Sequence, residues 1–452
     1  MKAHWAILAI FLIQGGLFIN WVASDSSNPS WDEAWHAMIS LNMLNQMKGG
    51  IPTADLEQSI PIFQFANNYY SHLYHLLSIP FYTALGEGFK SGIYVNLLFL
   101  AMLVFSGYMI GKKYSPFTGV LLAAMLSAVP LSVSLMTEFL LDFPLYAMVC
   151  LGYYLLIYSE NFSERTYSLL FGAAVGFGIL IKWTYPIFLA MPIAFAIGGF
   201  VKNKGWETRY YMLAVPLILA ILITLFGYGG NIQTVYRQSI MSRVAELDPA
   251  ISFSYYGHML FSWPTVLYIL LLALSLAIKS DRKTIIYILF PYFVFSIAPN
   301  KDVRYILPIF VFITHHCAFS LSMIKMSPLV RSGMVFIFLA IFISSIPDPQ
   351  AGTDISMIAN EVMDGSSLCI ASENPDVNDV NVPYILMRSG KKIKKVLGNG
   401  CNPFEYDYTL LGPIEKTWRS GSFERTRTQV SGEKGRFDIV YSGQGYELLK
   451  LR

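Results

Sequence analysis

The chain has 452 residues, 54% hydrophobic and only 13% charged, where soluble domains carry about 25% charged residues. A mean hydropathy of +0.49 and many apolar runs near the length of a bilayer span, about 20 residues, exclude a soluble globular protein and predict a polytopic membrane protein. The net charge is +3 with Lys and Arg scattered through short loops, so no nucleic-acid partner is expected.

The first run, about Trp5 to Val22, reads as a membrane helix, and Lys2 before it favours a cytoplasmic N-terminus. Val22-Ala23-Ser24 faintly resembles a signal-peptidase site, but the run is long for a signal peptide and an uncleaved anchor is expected. Next comes Pro29-Ser30-Trp31-Asp32-Glu33-Ala34-Trp35-His36, two adjacent carboxylates flanked by Trp. Apolar residues at 35, 38, 39, 43 and 47 recur near helical spacing and predict a helix on the membrane surface, ended by Gly49-Gly50 and Pro52. Ser30 and Glu33 have the spacing of a capping box, which accounts for Glu33 better than for Asp32.

Tyr69–Leu85 is semi-apolar, with His72, His75 and Pro80. If it dips into the membrane or lies at the interface, about eleven crossings remain, in runs starting near Trp5, Tyr94, Thr118, Phe143, Leu169, Tyr185, Tyr211, Pro264, Thr284, Tyr305 and Gly333. The loops bearing Lys112/Lys113, Arg165, Lys202/Lys204/Arg209, Lys279/Arg282/Lys283 and Lys325/Arg331 then share one side with Lys2, as the positive-inside rule requires. A full crossing at 69–85 would put the later basic loops outside. On this count Asp32, Glu138, Asp142, Lys301, Arg304, the 229–263 loop and the tail face the exterior. Residues 1–346 form the membrane domain. Residues 347–452 turn polar and mixed, and predict a small α/β domain with strands at 367–371, 393–397, 408–411 and 437–441 and short helices at 358–363 and 383–387.

Of the four Cys, Cys150 and Cys317 fall in apolar runs and read as core residues; Cys369 and Cys401 would pair if the tail lies outside the cytoplasm. There is no zinc-ligand spacing, internal repeat or Gly-rich phosphate loop.

Three groups carry chemistry. Asp32, with Glu33 beside it, stands where a general base would meet a hydroxyl at the membrane boundary. Asp142, in Leu141-Asp142-Phe143-Pro144-Leu145, sits at a tight turn between apolar runs; it either starts the next helix or supplies a second acid. Lys182 and Arg304, with Tyr305, lie at helix breaks on the side otherwise poor in basic residues, which suits a headgroup phosphate as well as simple snorkelling. His72 and His75 either bind that phosphate or are satisfied interfacial histidines.

Trp-Asp-Glu-Ala-Trp-His at 31–36 resembles the "DE" motif in the first exterior loop of GT-C glycosyltransferases that use polyprenyl-phosphate sugars, in particular the branch of protein O-mannosyltransferases, lipid A aminoarabinose transferases and lipopolysaccharide-core galacturonosyltransferases, family 39. Asp142-Phe143-Pro144-Leu145 is similar to its D-x-P-L, Lys182-Trp183 to its T-K-G/W element, and Arg304-Tyr305-Ile306-Leu307-Pro308 to its R-Y-x-L-P. Tyr69–His75 occupies the place of its P-P-L-Y-Y segment without the two prolines or the preceding Lys. The matches run in order over roughly residues 1–320. The resemblance implies a GT-C-like helical membrane fold and an inverting transfer of a monosaccharide from a polyprenyl-phosphate donor to a hydroxyl on a glycan, lipid or protein, at the periplasmic face of a bacterial inner membrane. It assigns Asp32 as base, Glu33 and Asp142 to orienting acceptor or base, and His72, His75, Lys182, Arg304 and Tyr305 to the lipid phosphate. A divalent cation would sit near Asp32 and Asp142, although no complete ligand set is visible. The rival readings are a transporter or flippase for a lipid-linked or anionic solute, and a scaffold subunit with a binding tail; against the first, the charges cluster at one face rather than at mid-membrane.

Overall fold

The computed structural model describes residues 3–48, 71–204, 211–228, 249–262, 265–278, 282–298 and 301–350, and in the tail 361–363, 365–374, 377–378, 382, 386, 395–397, 401–411, 420–443 and 446–452. The chain divides into two compact units, one of Met1–Val22, Tyr69–Leu77 and Ile93–Asp348, the other of Ala23–Asn68, Ser78–Gly92 and Pro349–Arg452.

The first unit is all helical. Each of the eleven apolar runs forms helix: α1 (Ala3–Ser24), α5 (Asn96–Lys112), α6 (Pro116–Ser127) with α7 (Pro130–Met136), α8 (Asp142–Tyr158), α9 (Arg165–Ile181), α10 (Tyr185–Lys204), α11 (Tyr211–Tyr228), α13 (Val266–Ile278), α14 (Arg282–Ile297), α15 (Phe310–Ser322) after a 3₁₀ turn at Val303–Ile309, and α16 (Pro328–Ser345). Among the described residues five helical stretches, Ala3–Ser24, Phe89–Lys112, Tyr185–Lys202, Val303–Ser322 and Pro328–Ser345, are long and apolar enough to cross a bilayer. The pair α6 and α7 passes the same test only if taken together and is bent by 62° at Pro130, which removes a backbone donor and cannot continue the preceding helix. A further short helix, α12 (Pro249–Leu260), precedes α13; the rest of the 229–263 loop lies almost wholly outside the described residues.

Glycines let several of these helices touch backbone to backbone. A Cβ on Gly111 of α5 would meet the Thr118 carbonyl oxygen at 2.5 Å, and one on Gly176 of α9 would meet the Ala220 carbonyl oxygen of α11 at 3.1 Å. Gly107/Gly111 and Gly172/Gly176 stand four apart, the small-residue spacing by which membrane helices pack without a hydrophobic driving force.

The second unit holds α2 (Trp31–Met47), most of α3 (Leu73–Leu85), α4 (Phe89–Ile93) and the tail. α2 spans the predicted stretch, but its burial goes further round than the apolar stripe: His36, Ser40 and Asn42 are buried as well as Trp35, Met38 and Ile39. α3 is 13 residues with Pro80 inside it. Asp25 straps this unit together. Its buried carboxylate takes Lys90, the Ser27 hydroxyl at 2.6 Å and the Gln350 backbone N–H at 2.7 Å. Burial alone would raise its pKa, but these donors outweigh burial and hold the carboxyl below the usual range.

The tail has strands β1 (Ser367–Ala371), β2 (Glu373–Asn374), β3 (Val377–Asn378), β4 (Lys395–Leu397), β5 (Tyr408–Leu411), β6 (Phe437–Gly443) and β7 (Tyr446–Leu451). β2 and β3 pair with each other, and the rest form a five-stranded sheet in the order β4-β1-β5-β7-β6, with β1, β4 and β5 parallel and β6 and β7 completing it antiparallel. Three of the four expected strands match closely; β4 is shorter, and β7 and the helix α17 (Ser420–Gly432) were not expected. The helices expected at 358–363 and 383–387 lie mostly outside the described residues. Cys369 and Cys401 are disulfide-bonded, their Cα atoms 5.8 Å apart, and are buried beside Tyr406.

Candidate active site

Within the helical unit, three separate chain breaks bring charge to one place. Asp142 is the first residue of α8, where a carboxylate is favoured by the unsatisfied N–H groups of a helix start. Lys182 follows the last residue of α9 in extended conformation, its N–H still bonded to Gly178. Arg304 belongs to the 3₁₀ turn, whose N-cap Asp302 accepts the Arg304 N–H at 3.1 Å. Lys182 Nζ donates to Asp142 Oδ1 at 2.6 Å, and Arg304 Nε lies 3.8 Å from Asp142 Oδ2 and 2.8 Å from Asp302. The side chains are 13%, 3% and 19% exposed for Lys182, Asp142 and Arg304, and 33% for Asp302, so the carboxylate of Asp142 is buried and exposure rises towards Lys182, Arg304 and Asp302. Tyr305 completes it: Lys182 Nζ and the Arg304 guanidinium lie 4.9 and 5.9 Å from its ring centroid. Asp142 here faces two cations, and a divalent ion bound to it would have to approach both. Among the described residues no group of three or more His, Cys, Asp or Glu has metal-binding geometry.

Lys301, grouped with Arg304 by sequence, does something else. It donates to the carbonyls of Phe295, Ser296 and Ala298, closing the end of α14.

The histidines stand at the start of α3. His72 Nδ1 is buried without a hydrogen-bond partner among the described residues, and burial pulls its pKa down, so at neutral pH it presents an uncharged ring. His75 is fully buried, 6.5 Å from the His72 ring. Between them Tyr74 donates to Asn96 Oδ1 at 3.2 Å, while Asn96 Nδ2 donates to the Met136 and Glu138 carbonyls at 2.9 and 3.0 Å. Asn96 thereby fixes the turn that leads into Asp142 to the first turn of α3. Nothing in the sequence marked Asn96: a single Asn at the head of an apolar run has no periodicity to betray it.

Beside the charges is an apolar cavity of about 630 Å³, lined by Leu73, Leu77, Met102, Phe105, Phe177 and Ile181 among others. Its wall residues Leu73 and Ile181 are the chain neighbours of His72 and Lys182, and Leu73 packs with Trp183 around Leu180. A cationic edge next to an apolar trough is the arrangement that takes an amphiphile with an anionic head.

Asp32 and Glu33 belong to the other unit. Both lie in the first turn of α2; Glu33 is buried and accepts the Ser30 N–H at 2.9 Å, the carboxylate half of the capping box. Asp32 is half-buried, and Trp35 and His36 behind it are buried.

Two structures of ArnT from Cupriavidus metallidurans superpose on nearly the whole chain. The one bound to undecaprenyl phosphate gives a TM-score of 0.66 at 11% identity, covering 99% of this chain and 98% of that one. The apo form gives 0.65 at 12% identity, covering 98% and 97%. The chain has the fold of these two structures, the GT-C fold. The GT-C resemblance extends to sequence over part of the chain: the profile of the dolichyl-phosphate-mannose-protein mannosyltransferase family matches residues 74–228. GPI mannosyltransferase 4 of Debaryomyces hansenii is 27% identical over 185 residues, 36% of this chain; the match spans about a third, 34%, of that relative. The profile match contains Asp142 and Lys182 but neither Asp32 nor Arg304.

Proposed function

We propose that the chain is an inverting membrane glycosyltransferase that moves a monosaccharide from a polyprenyl-phosphate donor to a hydroxyl of a glycan, lipid or protein. The observation that carries this is the buried Asp142–Lys182–Arg304 cluster beside an apolar cavity, within a fold whose solved example holds undecaprenyl phosphate. The prenyl chain lies in the trough, and the phosphate takes the exposed edge of Lys182 and Arg304. Asp142 keeps the two cations together when the phosphate is absent. Asp32 accepts the proton of the acceptor hydroxyl; the oxygen bonds to the anomeric carbon, the bond from that carbon to the phosphate oxygen breaks, and polyprenyl phosphate leaves. Phosphate needs no protonation to depart, so the main requirement is stabilisation of charge, supplied by Lys182 and Arg304 in a poorly hydrated setting. His72, held neutral, contributes a hydrogen bond and no charge. Glu33 keeps the helix start that carries Asp32 in place.

Two observations support a reaction on the exterior face. Lys113 and Lys283 gather at the end of the bundle opposite Asp142, in keeping with the distribution of basic loops. The tail carries a disulfide, a bond that persists in oxidising compartments.

The test is to incubate membranes containing the chain with radiolabelled undecaprenyl- and dolichyl-phosphate monosaccharides and to follow both acceptor labelling and free polyprenyl phosphate. Release of the lipid phosphate with transfer of label, abolished by Asp32→Asn in a protein that still inserts, is the expected result. Near-normal transfer by purified Asp32→Asn removes Asp32 from the role of base. A chain that moves the lipid across vesicles and never cleaves it is a transporter.

A further inference from the structure

A second apolar cavity lies among three helices of the helical unit. α1 presents Ala3, Ala6 and Ala9 at intervals of three, one helical face of small side chains. Facing them are Phe117 of α6 and Phe336 of α16, and between the three helices is a cavity of about 600 Å³. Its walls are apolar, but Arg331 stands at its mouth. The guanidinium lies 5.3 Å from the Phe117 ring centroid, and among the described residues no carboxylate pairs with it. Arg331 is in the first turn of α16, a turn with no acidic residue. A cation there is the wrong sign for the helix dipole, so guanidinium and helix start reinforce one positive potential.

We infer that this groove holds a glycerophospholipid with an anionic headgroup: an acyl chain fills the trough between α1, α6 and α16, and the headgroup phosphate pairs with Arg331. The site is separate from the Asp142 cluster. The helical stretch Val303–Ser322, 20 residues and so roughly 30 Å long, runs from the Arg304 end of the bundle towards the end where α16 begins. The occupied leaflet is therefore the one opposite the proposed reaction. Charge complementarity selects the occupant: neutral lipid would fill the apolar walls equally well but would leave the guanidinium at the membrane surface without an anion.

The experiment uses the full chain, delipidated in detergent and offered equal amounts of phosphatidylglycerol and phosphatidylcholine of identical acyl chains, with bound lipid read by native mass spectrometry. Phosphatidylglycerol is expected to be retained about fivefold over phosphatidylcholine, the factor one basic residue contributes at an anionic membrane surface. Arg331→Gln, an exposed position whose change leaves the packing intact, should abolish the preference while leaving total retention similar. Ala6→Phe, which fills the trough, should lower retention of both lipids. Arg165→Gln, removing an exposed charge on another basic loop, should preserve the preference. Equal retention of the two lipids by the unmodified chain overturns the proposal. So does a preference that survives Arg331→Gln, or one that Arg165→Gln abolishes equally, because either result reports general surface charge. Retention unaffected by Ala6→Phe overturns the placement of the acyl chain.

Discussion

The two ends of the helical bundle use the same chemistry at different depths. At one end Asp142, Lys182 and Arg304 are 3%, 13% and 19% exposed, with Lys182 and Asp142 2.6 Å apart. At the other, Lys113 and Glu160 are 42% and 64% exposed and 3.9 Å apart. Water screens the second pair, and such pairs contribute about 0–1 kcal/mol. Taking the first cluster out of water costs several kcal/mol per ion, offset only because each charge finds a partner. A fold gains little stability from such an arrangement over apolar packing. What it gains is a strong local field, because poorly hydrated charges act at full strength on whatever enters. Depth of burial, more than sign or count, separates the charges proposed to act from those that only solvate a helix end.

The largest effect is expected at Asp142. Asp142→Ala leaves the buried Lys182 without its carboxylate, Arg304 keeping Asp302, and should destabilise the helical unit by about 3 kcal/mol, read as a fall in thermal midpoint in detergent. A change below about 1 kcal/mol would put the cluster in the same class as Lys113–Glu160. Next in size is the loss of a charge-assisted contact to the donor. Arg304→Ala should weaken binding of polyprenyl phosphate about 10- to 100-fold, from roughly 1.5–3 kcal/mol per such bond. Unchanged affinity, measured by titration of the purified protein, rejects the phosphate role. Asp302 also loses its ion-pair partner in this variant, so thermal unfolding should be recorded in parallel.

Asp25 lies between these extremes, buried like Asp142 but outside the bundle and bonded to three donors. Its folded pKa lies below the ordinary carboxylate value. The unfolded chain therefore takes up the proton first, and the stability Asp25 confers is present above about pH 4 and lost as pH falls through the depressed value. Asp25→Asn should lower stability by about 1–3 kcal/mol near neutral pH, with the difference from wild type shrinking in acid. A difference that does not change with pH would mean that Asp25 acts through packing or neutral hydrogen bonds.

These residues differ in how legible they were. That each of the eleven apolar runs is helical follows from hydropathy, because a segment in lipid must satisfy its own backbone; among the described residues only five helical stretches, or six with the bent pair, also have the length to span. Lys182 and Arg304 stand 40 and 162 positions after Asp142; charge at a break between apolar runs marks each of them, and the family resemblance agrees, but no spacing argument joins them as one carboxylate between two cations. Asn96, the Asp25 strap and the glycine contacts at 111 and 176 depend on a partner distant in sequence or in the next helix, which a single residue type does not announce. In the tail, Ser420–Gly432 is polar enough to read as loop, yet Val430 and Thr426 are buried, with Thr426 donating to the Cys401 carbonyl. Tertiary packing makes that helix where propensity is silent. β7 escaped because its Leu448-Leu449 pair breaks the alternation expected of a half-buried strand; it lies between β5 and β6, paired on both edges.

The smallest effect is expected at the exposed end, and its sign can be worked out. Lys113→Gln should cost no more than about 0.5 kcal/mol, because the ion pair is long and screened. Glu160 carries a second property. With Asn161 and Phe162 it forms a run of left-handed residues, its own φ being 50°, a region where a Cβ is unfavourable and glycine is not. Phe162 is fully buried against Phe171, which anchors the run and holds Glu160 in that conformation. Glu160→Gly therefore removes an ion pair of little worth and relieves backbone strain, against the greater entropy of an unfolded chain with one more glycine. The balance is a change within about 0.5 kcal/mol of zero, whereas Glu160→Gln keeps the strain and loses the pair. A coupling above about 1 kcal/mol in the Lys113/Glu160 double-mutant cycle would show that this exposed pair is worth as much as a buried one, and depth of burial would cease to distinguish the two ends.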